Sequence, residues 1–403
     1  MAGLLAVEEA QELVLARIVG PLPAETLPLA AAAGRFLAEA AAAVVDLPPF
    51  PSSAMDGFAL RTADLPGRLP IVERIPAGRP APRPLAAGEA MGIATGGVVP
   101  EGADAVIPIE YVVEHDNEIV VESAPEVGAN VRPRGGDVAA GDEVVPAGTR
   151  LGPAQIGALA AAGVAEVRCA RSPRVAVLTT GTELARPGQV LGPGQVYEAN
   201  GVMLAAALAA CGATVELLPA VEDDGEAHRA AIERGLGGDV LVTSGGVSVG
   251  PHDLVRSVEA ELGVEEVFWR VAVKPGKPVS FGVRGGTLVF GLPGNPVSSL
   301  VGFELFVKPA LLALQGAAEP RPRFETGRLE RKLERNDARD ELVRARSRLD
   351  RDGELVLTPL TGQESHMIVR AAAADALVFV PHGRGSLDAG SRVRFLRPTV
   401  SGG

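Results

Sequence analysis

The sequence predicts a multidomain α/β protein. Three observations predict it. Strand and helix patterns alternate from residue 174 to about 315. Residues 43–141 are rich in Pro and Gly with short β-like runs, and the region after 320 carries only short strands between turns. At one domain per roughly 100–200 residues, 403 residues imply two to four domains.

Residues 7–19 place Val7, Ala10, Leu13, Val14 and Ile18 at helical spacing. Residues 43–141 then read as a small inserted β-rich domain, with strands at 105–109 and 118–121. A helix is expected over 154–163. Residues 174–179 are a short apolar strand ending in Thr180-Gly181-Thr182-Glu183. A helix over 202–211 ends at Gly212, placed for a left-handed cap. Strands at 214–221, 239–243 and 287–290 alternate with a helix at 225–234. Asn295 as N-cap and Pro296 at the first helical position start a long apolar helix that ends near Gln315. This is a three-layer α/β domain with a largely parallel sheet. A linker at 320–322 leads to strands at 342–346, 355–357, 377–380 and 393–396, a small all-β domain.

Hydrophobic residues make up 47% of the chain and aromatics 3%, so the cores are built from Ala, Val, Leu and Ile. A net charge of −12 argues against a broad basic face for nucleic acid, and the few aromatics argue against stacking platforms. Two cysteines, Cys169 and Cys211, are too few for a thiolate zinc site or a disulfide framework, which fits a reducing compartment. Glu8 and Glu9 stand where a signal peptide carries a basic region. No apolar run reaches the ~18–20 residues that span a bilayer. The expectation is a cytoplasmic chain without membrane contact.

In open α/β sheets, ligands bind beyond the carboxyl ends of the strands. Four features fall there. Ser244-Gly245-Gly246-Val247-Ser248-Val249-Gly250 could form an anion nest, although it reads equally as a tight turn without ligand. Glu183, Asp223 and Asp253 stand at loop ends; each alone reads as a cap or turn residue, and together beside a glycine loop they read as a phosphate–metal site. Only four of the 38 basic residues are lysine, and Lys274 and Lys277 are two of them. A compact ammonium at both positions suits one shared anion, against the alternative of an exposed turn. Gly291–Pro296 places a helix N-terminus where it favours an anion. The five histidines show no ligand spacing, and Trp269 is expected in the core.

These loops, in this order, resemble the molybdopterin molybdenumtransferases, the MoeA and gephyrin E-domain family. The resemblance rests on Pro51-Ser52-Ser53-Ala54-Met55-Asp56-Gly57-Phe58-Ala59, Ala94-Thr95-Gly96, Arg132-Pro133-Arg134-Gly135-Gly136-Asp137, Thr180-Gly181-Thr182-Glu183-Leu184, residues 243–250, Lys274-Pro275-Gly276-Lys277-Pro278 and Gly291-Leu292-Pro293-Gly294-Asn295-Pro296-Val297-Ser298. It implies insertion of molybdate into adenylylated molybdopterin with release of AMP, assisted by Mg2+. It implies four domains: a molybdopterin-binding α/β domain (1–22 and 173–320), a linking domain (23–42 and 142–172), the inserted β-rich domain (43–141) and a C-terminal β-barrel-like domain (321–403). It implies a homodimer with shared active sites, in which Asp56, Thr95 and Asp137 complete the partner's cleft. It implies that Lys274 and Lys277 supply point charges for phosphate or molybdate, and that Glu183, Asp223 and Asp253 hold magnesium or orient water, with the roles inside that acid set left open. By the same resemblance, Thr180, Gly181, Ser244, Gly245, Gly246, Ser248, Gly250, Pro293, Asn295 and Pro296 are expected to bind the pterin nucleotide, and Arg344 and Arg370 to face an anion. Molybdopterin adenylyltransferase and molybdoenzymes or their chaperones are the partners it suggests.

The sequence departs from the family pattern at Thr182, Pro251 and Gly136, each where an acid is common, and at Arg270, where Lys is common. Tungstate insertion by the same chemistry and a non-catalytic dimeric scaffold are the alternatives.

Overall fold

The computed structural model describes residues 4–219, 225–246 and 254–399. Its organising element is a six-stranded sheet. In chain order the elements around it are α1 (Val7–Ala16), β1 (Arg174–Thr179), α2 (Asn200–Ala210), β2 (Thr214–Leu217), α3 (Gly225–Gly235), β3 (Val240–Ser244), α4 (Leu254–Glu261), β4 (Glu265–Trp269), β5 (Ser280–Arg284) and β6 (Thr287–Leu292). The strand order is β2-β1-β3-β6-β5-β4. The first four strands run parallel, and β5 runs antiparallel to both of its neighbours, β6 and β4.

Strands β3 and β6 are buried at every position, as apolar strands covered on both faces must be. One face packs Val175, Val177, Val242 and Phe290 against Leu204 and Leu208 of α2 and Phe303 and Phe306 of the long helix that follows β6. The other packs Ala176, Leu178, Leu241 and Val289 against Ile232 of α3 and Val255 and Val258 of α4. Helix α1 joins the first face from far upstream: Val7, Ala10 and Val14 are buried there, and Gln11 Nε2 donates to the Leu305 carbonyl at 3.0 Å. The chain therefore starts in this layer, leaves it and returns.

The sheet also differs from the expectation. The β5–β6 hairpin and β4 extend it by two antiparallel strands. Gly285-Gly286 is the two-residue turn between apolar runs that joins the hairpin, and Gly285 takes the left-handed φ of +58° that such a turn needs. The expected strand to residue 221 stops at Leu217 among the described residues. The long helix starts at Pro296 and continues to Leu314 through a π turn at Phe303–Val307. Contrary to the expectation, these 19 residues are long and apolar enough to span a bilayer, but 78% of that stretch is buried inside the protein. Its mid-helix Glu304 is paired with Lys308 at 2.9 Å.

The flanking regions form their own cores. Strands Ala24–Pro28 and Glu166–Ala170 pair antiparallel over Leu29, Leu37, Leu151, Leu159 and Cys169. The inserted region is a curled six-stranded sheet in the order Ala105–Pro108, Gly57–Leu60, Ala90–Ile93, Gly67–Ile75, Glu118–Val121, Val113–His115. After residue 324, Asp340–Leu349 pairs with both Leu355–Pro359 and Ala376–Val380, which closes a five-stranded barrel. The two-residue strand Val273–Lys274 pairs in parallel with the start of that long barrel strand. Both cysteines are buried and free, and burial pushes both thiols above their ordinary range.

Candidate active site

The carboxyl ends of β1, β3 and β6 open into a cleft of about 790 Å³. The strand ends are stitched together: Thr180 N–H donates to the Ser244 carbonyl at 3.1 Å and Gly245 N–H to the Leu292 carbonyl at 3.1 Å. The glycines are a steric requirement. Gly245 and Gly246 have φ of +96° and +66°, and a Cβ would lie 2.7 Å from Thr180 O or 2.5 Å from Val255 Cγ2. The Gly245 amide is thus spent on the sheet, which corrects the expectation that it faces an anion.

Ser244 is buried at the centre of a polar floor. Its hydroxyl accepts from Asn200 Nδ2 at 2.9 Å and lies 3.2 Å from Ser299 Oγ. Asn200 also donates to the Gly294 carbonyl at 2.7 Å, and Ser299 donates to the Pro293 carbonyl. This network fixes the Pro293–Pro296 turn against β3, and its members explain why Ser244 acts within the protein. Asn295 has the extended backbone of an N-cap, as expected, but its side chain makes no capping bond. The Val297 amide instead donates to the Ser365 carbonyl of the C-terminal region at 3.1 Å.

Thr180, Gly181, Glu183, Ser244, Gly245, Gly246, Pro293, Asn295 and Pro296 all line this cleft. Glu183 is exposed and folds back on Gly181, where a Cβ would meet its carboxylate at 2.5 Å. Asp223, Ser248, Gly250 and Asp253 lie outside the described residues. Among the described residues no group of three or more His, Cys, Asp or Glu could hold a metal ion. Of the described acids lining the cleft, Glu183 supplies the hard oxygen donors that suit magnesium, since Glu198 already accepts the Gly201 amide at 2.7 Å.

Neither Lys274 nor Lys277 lines the cleft. Lys274 and Lys277 are exposed, and Pro278 is where their loop meets the cleft. Lys274 Nζ lies 2.5 Å from Glu341 Oε1 on the barrel strand. Arg344 departs from its expected role. It is 1% exposed, and its guanidinium donates to Gln363 Oε1 and to the carbonyls of Gly362, Glu364 and Met367. A guanidinium with that many internal acceptors holds a loop. Burial pushes it below its ordinary range. Arg370 is exposed on the short helix Ile368–Ala371.

Asp56, Thr95 and Asp137 do not line this cleft. They belong to the inserted β region. Asp56 Oδ1 accepts the Thr95 amide at 2.7 Å and the Thr95 hydroxyl at 3.0 Å. The amide first, then the hydroxyl, holds the Asp56 carboxyl below its ordinary range. Gly57 must be glycine, since a Cβ there would lie 2.0 Å from Ile107 O across the strand pair. Asp137 is exposed, and its amide donates to the Leu47 carbonyl at 2.9 Å.

Three further residues escaped the sequence reading. His228, His366 and Asn200 line the cleft, brought there by α3, the Gly362–Met367 loop and the first turn of α2. Trp269 is half-buried rather than a core residue. Arg256 and Arg270 guanidinium carbons lie 4.0 and 3.7 Å from its ring centroid.

Three family models match in order. They are described as "MoeA N-terminal region (domain I and II)" over residues 5–163, "Probable molybdopterin binding domain" over 176–313 and "MoeA C-terminal region (domain IV)" over 326–397. A molybdopterin molybdenumtransferase from Haemophilus influenzae is 34% identical over 97% of this chain and 98% of its own length. The chain belongs to the molybdopterin molybdenumtransferase family. This is a family of transferases in molybdenum cofactor biosynthesis. Molybdopterin molybdenumtransferase 2 from Mycobacterium tuberculosis is 40% identical over 73% of this chain and 76% of its own. A MoeA crystal structure from Pyrococcus horikoshii superposes with a TM-score of 0.81 at 34% identity, covering 98% of this chain and 99% of the other. Arg270 takes a left-handed φ of +77° while stacking on Trp269.

Proposed function

We propose that the cleft binds adenylylated molybdopterin and that the enzyme inserts molybdate into its dithiolene, releasing AMP, in the cytoplasm. The observation that carries this reading is the cleft itself. It lies at the carboxyl ends of three parallel strands, floored by the Ser244–Asn200–Ser299 network and edged by the Asn295–Pro296 helix start. A helix N-terminus whose Asn295 side chain makes no capping bond favours a phosphate. Lys274 and Lys277, on the loop that meets the cleft at Pro278, supply compact positive charge to a tetrahedral oxyanion.

Charge develops on the leaving AMP phosphate as the anhydride opens, so the cleft's donors and cations act on that charge. Glu183, with Asp223 and Asp253, would hold a magnesium ion, which supplies charge neutralisation at the pyrophosphate. Asp56, kept ionised by Thr95, and Asp137 belong in this reading to a second copy of the chain seated over the cleft. The substrate would come from a molybdopterin adenylyltransferase, and the product would pass to molybdoenzymes or their chaperones.

Incubation of the full chain with adenylylated molybdopterin, magnesium and molybdate tests this. Stoichiometric AMP and a molybdenum-loaded pterin are expected. AMP release with tungstate alone would reassign the oxyanion, and no AMP with either would favour a scaffold.

A further inference from the structure

Three of the four lysines in this chain are paired with a glutamate: Lys274 with Glu341, Lys308 with Glu304 and Lys332 with Glu334. Lys277 has no ion pair among the described residues. Within that set, the lysine loop presents one neutralised and one free ammonium.

The two partners of the Lys274 pair are held very differently. Glu341 sits in the middle of a ladder, opposite Lys274 in parallel register on one side and opposite Val380 in antiparallel register on the other. Its side chain is 14% exposed, and its only ion pair among the described residues is with Lys274. The Lys274 side chain is 50% exposed, on a two-residue strand that leads directly into the Pro275-Gly276 turn. The carboxylate is the fixed partner and the lysine the movable one. A half-exposed pair of this kind is weakly held, so a dianion arriving at the loop can take the ammonium from it.

We propose that Glu341 is a positioning residue for the oxyanion step: its carboxylate occupies Lys274 in place of the anion and holds the ammonium until an oxyanion displaces it. This rests on the reading above that Lys274 takes the oxyanion. It adds that the free protein binds that oxyanion against an internal competitor, which sets the affinity below what two unpaired lysines would give.

The test is equilibrium binding of molybdate alone to the full chain, for the wild type, Glu341→Gln, Lys274→Ala and the double variant. Glu341→Gln keeps the side chain's shape and removes its charge, so molybdate binding should tighten about 3- to 10-fold. Loss of a merely structural contact would not tighten it. Lys274→Ala should weaken binding, and the gain should vanish in the double variant because it runs through Lys274. Unchanged or weaker binding in Glu341→Gln, with Lys274→Ala still weakened, overturns the role of Glu341 and leaves the reading of the lysine standing. Molybdate binding that ignores Lys274→Ala overturns both. If Glu341→Gln fails to fold, as judged by its melting curve, Glu341→Asp replaces it. Its shorter side chain withdraws the carboxylate from Lys274, and tighter binding is again expected.

Discussion

Asp56 and Thr95 show how one short contact sets a residue's chemistry. Two hydrogen bonds from Thr95 favour the ionised carboxyl and hold it below its ordinary range. The sign follows directly. A lowered folded-state value favours the native form above the ordinary carboxylate range, and that contribution is lost as pH falls through the folded value. Thr95→Ala removes the hydroxyl bond and loosens the loop that aims the amide, so the Asp56 carboxyl should protonate at higher pH. The acid limb of the pH–rate profile for AMP release should move upward, and an unmoved limb would separate Asp56 from the reaction. Lys274 offers the complementary case. Lys274→Ala should abolish AMP release while the melting temperature stays within a few degrees, because a half-exposed ion pair contributes at most about 1 kcal/mol. Both residues stand out in the sequence, one in a Met-Asp-Gly turn and one by the scarcity of lysine. Arg344 illustrates what local sequence conceals: four internal acceptors converge on it from a loop some twenty residues downstream.

At the scale of elements, the glycines at the end of β3 are where backbone geometry and the site coincide. Gly245→Ala would force a Cβ within 2.7 Å of Thr180 O at a φ of +96°. We expect a loss of roughly 1–3 kcal/mol in denaturant unfolding together with weaker nucleotide binding. Gly157 is the contrasting position. It lies inside the helix Pro153–Ala161, and a Cβ added there would meet nothing within 4 Å. Gly157→Ala should therefore stabilise by about 0.5–1 kcal/mol without touching activity. The parallel strands β1, β3 and β6 were legible because each is a short apolar run, and the Asn295–Pro296 start was legible because Pro at the first helical position is chemically distinctive. The β5–β6 hairpin was equally signalled by Gly285-Gly286, yet an expectation of strand–helix alternation passes over it. His228, His366 and Asn200 carry no such mark. Nothing in their neighbourhoods says that folding will turn three distant segments toward one cleft.

At the scale of the whole molecule, the candidate residues fall into two groups that one chain does not bring together. Thr180, Glu183, Ser244 and Asn295 line the cleft, which the loop of Lys274 and Lys277 meets at Pro278, while Asp56, Thr95 and Asp137 stand apart in the inserted β region. The barrel is bound to the α/β domain beside the cleft by the Val273–Lys274 ladder and the Val297–Ser365 bond. In the proposed reading, a second copy supplies the Asp56 group and joins both halves into one site. Mixing Asp56→Ala chains with Lys274→Ala chains tests that claim directly. Each heterodimer would hold one intact site, so random reassortment should restore about a quarter of wild-type AMP release from two inactive parents. Heterodimers verified by mass that remain inactive would contradict the shared site.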